Sequence, residues 1–323
     1  MTTLCINQPN TDPYFNLAAE EYFLKNFQDD FFMLWRSQTS VVVGKHQNAL
    51  AEINHEFAKS NQIPVARRLS GGGTVFHDPG NVNFTFIRTV DKISEVNFSV
   101  FTVPIVAALK KLEVEAYTTG RNDLLIDGKK ISGNAEHVHK NRVLHHGTLL
   151  YSSRLDALKG ILKVDLSKFE GKAVQSNRSE VTNIADYLSN PISVEAFMNF
   201  LFGEICQTYP ESQVYELAQE DNDAIEKLSL EKYQTWDWIF GYSPRYRFSN
   251  NLQTENGEIR ITLDVEKGII AEAAVTGAIP AELSQKLEKV LMGCKHEFET
   301  VKKALTDLNR HRLSVPDFIS AMF

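Results

Sequence analysis

Residues 67–78 read RRLSGGGTVFHD: two arginines, three consecutive glycines, then His77 and Asp78 behind a short run of strand-forming residues. Glycine loses more backbone entropy on folding than any other residue and adds nothing to a core. Three in a row beside fixed positive charge point to a main chain that must lie close against something. Arginine supplies a planar fork of donors suited to phosphate or carboxylate, and successive backbone N–H groups can form an anion-binding nest. The segment is therefore a candidate phosphate cradle. The plainer alternative is a tight loop flanked by two solvated arginines.

Two further clusters carry chemistry. In GRNDLLIDGKKISGNA (residues 120–135), alternate strand residues share a face, so Lys130 and Ser132 are expected on one side and Ile131 on the other. If Ile131 faces the core, Lys130 faces a groove, while Lys129 sits nearer the hairpin tip. Asn122 and Asp123 offer the oxygen ligands that Mg²⁺ accepts when it also holds phosphate oxygens. In HHGTLL (residues 145–150), a histidine pair either lines a pocket or ends a strand. His77, His145 and His146 lack the spacing of a metal-binding helix, and Cys5, Cys206 and Cys294 lie outside all three clusters.

The common nucleotide fingerprints do not match. GGGTVF lacks the third glycine of a dinucleotide motif and runs into a strand, not a helix. GRNDLLIDGKK has seven residues between its glycines and no Ser or Thr directly after the lysine, so it is not a P-loop. Any ATP site must be built another way.

The elements that must position these clusters are legible from periodicity. TDPYFNLAAEEYFLKNF reads as a helix capped by Asp12 with Pro13 in its first turn. DFFMLWR, SVVVGKH, IPVARR, TVFH and NVNFTFIR read as strands, the last two joined at DPGN, where Pro79-Gly80 suits a type II turn. Asp127-Gly128 marks a hairpin ahead of Lys130, and RVLHHGTLLYS is a further strand. Beyond residue 153 helices dominate, SVEAFMNFLFGEICQTY most clearly. A new unit starts after Tyr246, where EIRITLDVEKGIIAEAAVTG alternates like a hairpin turning near Gly268. Adjacent strands outnumber strand–helix–strand units, which favours an α+β domain with a mixed, largely antiparallel sheet and flanking helices. The expected division is a catalytic domain over residues 1–245 and a small α+β domain over 246–323.

A net charge of −7 argues against a general nucleic-acid binder, though not against a local basic pocket. Three dispersed cysteines form no disulfide framework and fit a reducing compartment. No secretion signal or membrane-length apolar run is visible, so a cytoplasmic protein without a membrane partner is expected.

Together, RRLSGGGTVFHDPGNVNFTF, GRNDLLIDGKKISGNA and HHGTLL, in this order, closely resemble the lipoate–protein ligase family. The resemblance extends over nearly the whole chain. It implies a catalytic domain like those of biotin ligases and class II aminoacyl-tRNA synthetases. It also implies a two-step reaction: lipoate and MgATP give lipoyl-AMP and pyrophosphate, and the lipoyl group then passes to a lysine of a lipoyl domain. Acceptors in the family belong to 2-oxoacid dehydrogenase complexes or are the glycine-cleavage H protein.

By motif, Lys130 matches the family's essential lysine, contacting both lipoate and nucleotide. Arg68, Gly73, Thr74, Val75 and Phe76 match nucleotide-contacting positions. Gly71, Gly72, His77 and His146 are assigned to the lipoate side, and Asp123 to Mg²⁺. SNRSEVTNI resembles the family's adenylate loop, commonly SVRSRVTNI: Ser176, Ser179, Val181 and Asn183 keep the pattern, while Asn177 and Glu180 depart from it. Two alternatives compete with the ligase. One is an ATP-independent octanoyl or lipoyl transferase on the same scaffold, which would want a well-placed cysteine. The other is a non-catalytic lipoate- or nucleotide-binding protein, against which the intact lysine and glycines weigh.

Overall fold

DFFMLWR shows no apolar–polar alternation, and its position explains why: it lies within a sheet and is buried on both sides. The computed structural model describes residues 2–92, 97–119, 123–156, 165–176, 179–209, 211–306 and 315–323. Its strands are β1 (Thr3–Gln8), β2 (Asp30–Arg36), β3 (Ser40–Val43), β4 (Val65–Arg67), β5 (Val75–His77), β6 (Asn81–Thr89), β7 (Tyr117–Thr118), β8 (Asp123–Ile126), β9 (Lys129–His139), β10 (Arg142–Leu150), β11 (Phe169–Gly171), β12 (Ser212–Val214), β13 (Tyr246–Thr254), β14 (Gly257–Glu266) and β15 (Ile269–Gly277).

An eight-stranded sheet has the order β12-β1-β2-β6-β10-β9-β8-β7, and a three-stranded sheet the order β4-β3-β5. In the large sheet β1 runs parallel to β2 and β12, and the other pairings are antiparallel. The fold is thus α+β with a mixed, largely antiparallel sheet, as the strand-rich first half predicts.

The two faces of the large sheet have different chemistry. One is apolar: Phe32, Phe84, Phe86, Val143 and Leu149 pack with Phe101 and Ile105 of the helix Ser99–Lys111 and with Phe197 and Leu201 of the helix Val194–Thr208. Cys5 is buried in this core with Cys206 packed against it. A hydrogen bond between the two thiols, with burial, pushes Cys5 well above the usual thiol range. The opposite face carries polar side chains and meets the helix Pro13–Asn26 through Glu20. That helix begins as its sequence requires: Asp12 accepts from the N–H groups of Tyr14 and Phe15, with Pro13 at the first position.

The turn at Asp78–Asn81 differs in type from expectation. Asn81 N–H does donate to the Asp78 carbonyl at 3.0 Å, but Gly80 is not among the positive-φ glycines, so this is not a type II turn. Glycine is needed there for space: a Cβ would strike the backbone of Ser152 and Ser153.

The chain divides into two compact units. One comprises Met1–Gly44, Gln62–Gly160 and Ser176–Gln234 and holds the two sheets above. The other comprises Lys45–Asn61, Ile161–Gln175 and Thr235–Phe323 and holds a four-stranded sheet of order β11-β13-β14-β15. Its core joins Phe248, Ile261 and Leu263 to Leu287, Leu291, Val301 and Leu305 of two helices.

Candidate active site

Lys130 follows the hairpin turn, where Asp127 (φ 49°) and Gly128 (φ 78°) are both left-handed, as an Asp-Gly turn of type I′ requires. The simple alternation expected of β9 fails just beyond it. Leu124 pairs with Ser132 but Leu125 pairs with Lys130, so Ile131 is an extra residue. This bulge buries Ile131 and Ser132 together and turns Lys130 to the opposite face. There the Lys130 ammonium is 2.9 Å from Asp123 Oδ1. It also stands over Gly133, where an added Cβ would lie 3.2 Å from the lysine Nζ.

The segment after residue 178 is tied to this lysine through backbone. Lys130 N–H donates to the Glu180 carbonyl at 2.9 Å, Thr182 N–H donates to the Lys130 carbonyl at 3.0 Å, and Val181 bridges Lys130 in parallel. A cavity of about 580 Å³ opens here, lined by Asp123, Lys130, Ser179 and Glu180 among others. Glu180, where the family pattern has arginine, lies 3.5 Å from Lys129. Asn183 has both amide ends occupied by the Ser153 backbone, at 2.9 and 3.0 Å, and so anchors the loop's end. Asn122 and Asn177 lie outside the described residues.

Arg68 shapes the glycine loop from inside. It is buried, and its guanidinium donates from Nε to Ser70 Oγ (3.0 Å), from Nη1 to the Val42 carbonyl (3.1 Å), and from Nη2 to the carbonyls of Gly71 and Gly73 (2.7 Å each). Burial depresses its pKa to about 10, with Glu20 opposing that shift. Gly72 is left-handed (φ 88°), and its carbonyl lies so close to Gly44 that any Cβ on Gly44 would collide with it. Thr74 N–H donates to Ser176 Oγ at 2.8 Å, so Ser176 meets the loop at its exit. Val75, Phe76 and His77 continue as β5, paired with β3.

A chain of hydrogen bonds joins the loop to the polar face of the sheet. Ser70 Oγ is 2.5 Å from His146 Nε2, His146 Nδ1 is 2.9 Å from Glu20, Thr85 Oγ1 donates to Glu20 at 2.6 Å, and Trp35 Nε1 donates to Thr85 at 3.1 Å. Serine, histidine and glutamate have the connectivity of an activated nucleophile. Here, however, the serine is fully buried and its oxygen also receives the Arg68 Nε–H, so the chain fixes the loop instead. His77 is buried beside this network. Desolvation, with Arg68 and His146, lowers its pKa to about 3 and keeps it neutral.

The structure thus gathers Lys130, Asp123, Ser179 and Val181 in one place, and Arg68, Gly71, Gly72, Gly73, Thr74, His146 and Ser176 in a connected second group. Glu20, Trp35, Ser70 and Thr85 belong to that group without having stood out in the sequence. Glu20 had one cue, a carboxylate on the buried side of the helix Pro13–Asn26. Gly44 and Gly133 look like ordinary glycines until their neighbours are known. Among the described residues, no group of three His, Cys, Asp or Glu side chains is placed to hold a metal ion.

Residues 12–206 match the family model of the lipoyl protein ligase A/B catalytic domain, and residues 243–321 that of the bacterial lipoate protein ligase C-terminus. The chain belongs to the lipoate–protein ligase family. It is 41% identical to lipoate–protein ligase 1 of Staphylococcus aureus over 95% of this chain and 97% of that one. It is 38% identical to the lipoate–protein ligase LplJ of Bacillus subtilis over 98% of both. Among solved structures it is similar to P. falciparum LipL1 in complex with lipoate (26% identity, TM-score 0.65, 98% of both chains). It also resembles lipoate–protein ligase A bound with ATP (25% identity, TM-score 0.63, 75% of this chain and 100% of that one). A third likeness is to the bipartite lipoate–protein ligase of Thermoplasma acidophilum, studied with its E2 lipoyl domain (26% identity, TM-score 0.64, 75% of this chain and 97% of that one).

Proposed function

We propose that this member of the family activates lipoate with MgATP and transfers the lipoyl group to a lysine of a lipoyl domain. The observation that carries the reading is the bulge at Ile131. It brings the Lys130 ammonium beside Asp123 at the mouth of a cavity, with the backbone of the Glu180–Thr182 segment bonded to the same lysine.

Charge dictates the first step. A lipoate carboxylate oxygen attacks the α-phosphorus of ATP, the bond to the β-phosphate oxygen breaks, and pyrophosphate leaves. Two anions must approach and negative charge builds on the phosphoryl oxygens. Lys130 offsets both, as a fixed cation placed where charge develops, and not as a covalent nucleophile. Mg²⁺ arrives with ATP as part of the substrate and neutralises phosphate charge. Asp123 offers a single carboxylate, enough for an ion that takes its other ligands from phosphate and water. The glycine loop presents backbone N–H groups to the adenylate, and Arg68 acts on the nucleotide by holding the loop's shape. Ser176 supports the loop at Thr74, and Ser179 lines the cavity beside Lys130. In the second step the acceptor amine attacks the acyl carbon, AMP leaves, and the amine loses its proton.

An ATP-independent transfer through cysteine finds no support in where the thiols lie. Cys5 and Cys206 belong to the apolar core on the far face of the sheet, and Cys294 belongs to the other unit. We assign catalysis to residues 1–245, with 246–323 as an accessory domain, and place the protein in the cytoplasm, where free thiols persist. No helix of the described residues is long and apolar enough to cross a membrane. The acceptors we propose are the lipoyl domains of 2-oxoacid dehydrogenase complexes and the glycine-cleavage H protein. Incubation with ATP, Mg²⁺, lipoate and an apo lipoyl domain tests the reading. Lipoate-dependent pyrophosphate release and a lipoyl mass increment on the acceptor are expected, and acyl transfer without ATP would overturn it.

A further inference from the structure

One row of residues crosses the polar face of the large sheet and deepens as it goes. Asp123 on β8 pairs with Gly133 on β9, and Gly133 N–H donates to Thr148 Oγ1 on β10 at 3.3 Å. Thr148 pairs with Asn83 on β6, and Asn83 with Trp35 on β2. Directly opposed residues of antiparallel strands share a face. The first three positions are half-buried, whereas Asn83 is 2% and Trp35 1% exposed. Lys130 stands over Gly133, at the shallow end. Adjacent strands are about 4.8 Å apart, so Asn83 lies two spacings, roughly 10 Å, from Gly133. A carboxylate held at Lys130 would, through the extended arm of a pentanoic acid, deliver a terminal ring beside Asn83 and Trp35.

Asn83 has an unmet bond at that place. Its Oδ1 accepts from Asn81 Nδ2 at 2.9 Å, but its Nδ2 is fully buried and has no hydrogen-bond partner among the described residues. Buried amide donors left unpaired are rare in native proteins, because they carry the full desolvation penalty. Two more such atoms lie nearby: Asn81 Oδ1, on the amide that donates to Asn83, and His77 Nδ1, on a ring 5.5 Å from that of Trp35; among the described residues neither atom has a partner.

We propose that Asn83 selects the dithiolane ring of lipoate, its Nδ2–H donating to a ring sulfur that packs against the Trp35 indole. A disulfide sulfur is a weak acceptor and a favourable neighbour for an aromatic ring. A fatty acid with a hydrocarbon end would bury the same N–H with no acceptor, and sites built around a polar group reject analogues that cannot pair with it. The inference rests on the lipoate-ligase reading and adds to it the basis of choice between lipoate and octanoate-like acids.

The test compares lipoate with 5-cyclopentylpentanoate, which keeps the arm and the five-membered ring and replaces both sulfurs with CH₂. Calorimetry on the full chain is expected to show about fivefold tighter binding of lipoate, the weight of one net hydrogen bond. In Asn83→Leu the preference is expected to vanish, through weaker lipoate and stronger analogue binding. In Asn83→Thr, which keeps a donor and serves if the leucine variant does not fold, part of it is expected to remain. Equal affinity in the wild type, or an unchanged preference in Asn83→Leu, would overturn the proposal; the latter would assign the preference to Trp35 alone. Pyrophosphate release with lipoate, measured separately, tests the ligase reading, so a failure there is distinguishable from a failure of the binding comparison.

Discussion

Lys130 Nζ and Asp123 Oδ1 stand 2.9 Å apart, each side chain about a quarter exposed (26% and 23%). The pair joins two neighbouring strands on the face to which the Ile131 bulge turns the lysine. A partly exposed ion pair of this kind contributes only about 0–1 kcal/mol to folding, so its importance lies in where it holds a cation. Lys130→Ala is therefore expected to leave the denaturant midpoint nearly unchanged while lowering lipoate adenylation by about 100-fold or more, the range for losing one preorganised charge at a transition state. Asp123→Asn, which frees the ammonium without removing it, is expected to cost less. Pyrophosphate release under saturating substrates checks both, and full activity in Lys130→Ala would remove this lysine from the mechanism.

Arg68 makes the opposite prediction. Its guanidinium holds Val42, Ser70, Gly71 and Gly73 from within the fold, so its loss should first be felt as instability. Removing it leaves buried carbonyls unpaired, at about 1–3 kcal/mol for each group that cannot find water. Arg68→Ala is expected to lower the urea midpoint clearly and to raise the KM for ATP through a disordered glycine loop. Arg68→Lys, with one point charge and no fork, should rescue little of either. An Arg68→Ala protein of wild-type stability with weakened ATP binding would instead place the guanidinium directly on the nucleotide.

Two glycines outside the GGG motif separate stability from catalysis. A Cβ on Gly44 would meet the Gly72 carbonyl, which is backbone and cannot swing aside. A Cβ on Gly133 would meet only the tip of Lys130, at 3.2 Å, and that tip can move. Gly44→Ala is expected to destabilise the fold and the loop together. Gly133→Ala should melt within a few degrees of wild type but lose turnover, because Lys130 is displaced from its position. Melting curves and kcat measured side by side check the contrast; equal effects of the two on stability would refute it.

The elements themselves were legible because each is governed by local rules: Asp12 and Pro13 start a helix, Asp127-Gly128 turn a hairpin, and unbroken apolar runs become doubly covered strands. The clusters around Gly71–Gly73, Lys130 and His146 were legible because flexible backbone and fixed charge are poor structural material unless they serve a ligand. What stayed hidden depends on register and on distant neighbours. Strict alternation puts Lys130 with Ser132, and only the strand pairing reveals the extra residue that separates them. Asp78–Asn81 contains the residues of a type II turn, yet Gly80 is required by the backbone of Ser152 and Ser153. Glu20 and His146 are 126 positions apart, and nothing local links a helix carboxylate to a strand imidazole.

Two buried histidines, His77 and His296, make the fold lose stability in acid. Burial, with Arg68 and His146 nearby, holds His77 near 3, and burial holds His296 near 4 despite its bond to the Met322 carbonyl, against about 6.5 for an exposed imidazole. Both pKa values are depressed in the folded state, so below about pH 6.5 the unfolded chain binds protons that the folded chain refuses. Stability therefore falls as pH drops from about 6.5 toward 4 or 3, and is insensitive to these two groups above about 7. Each contributes a slope on the order of 1 kcal/mol per pH unit within its window. Replacing one buried imidazole by a ring that cannot take a proton should remove its share of the slope: His77→Phe is expected to lose less stability between pH 6.5 and 4.5 than wild type, whatever its offset at pH 7. Urea midpoints followed across that range decide the matter. Parallel curves for wild type and His77→Phe would mean that His77 is protonated at the same pH whether the chain is folded or not.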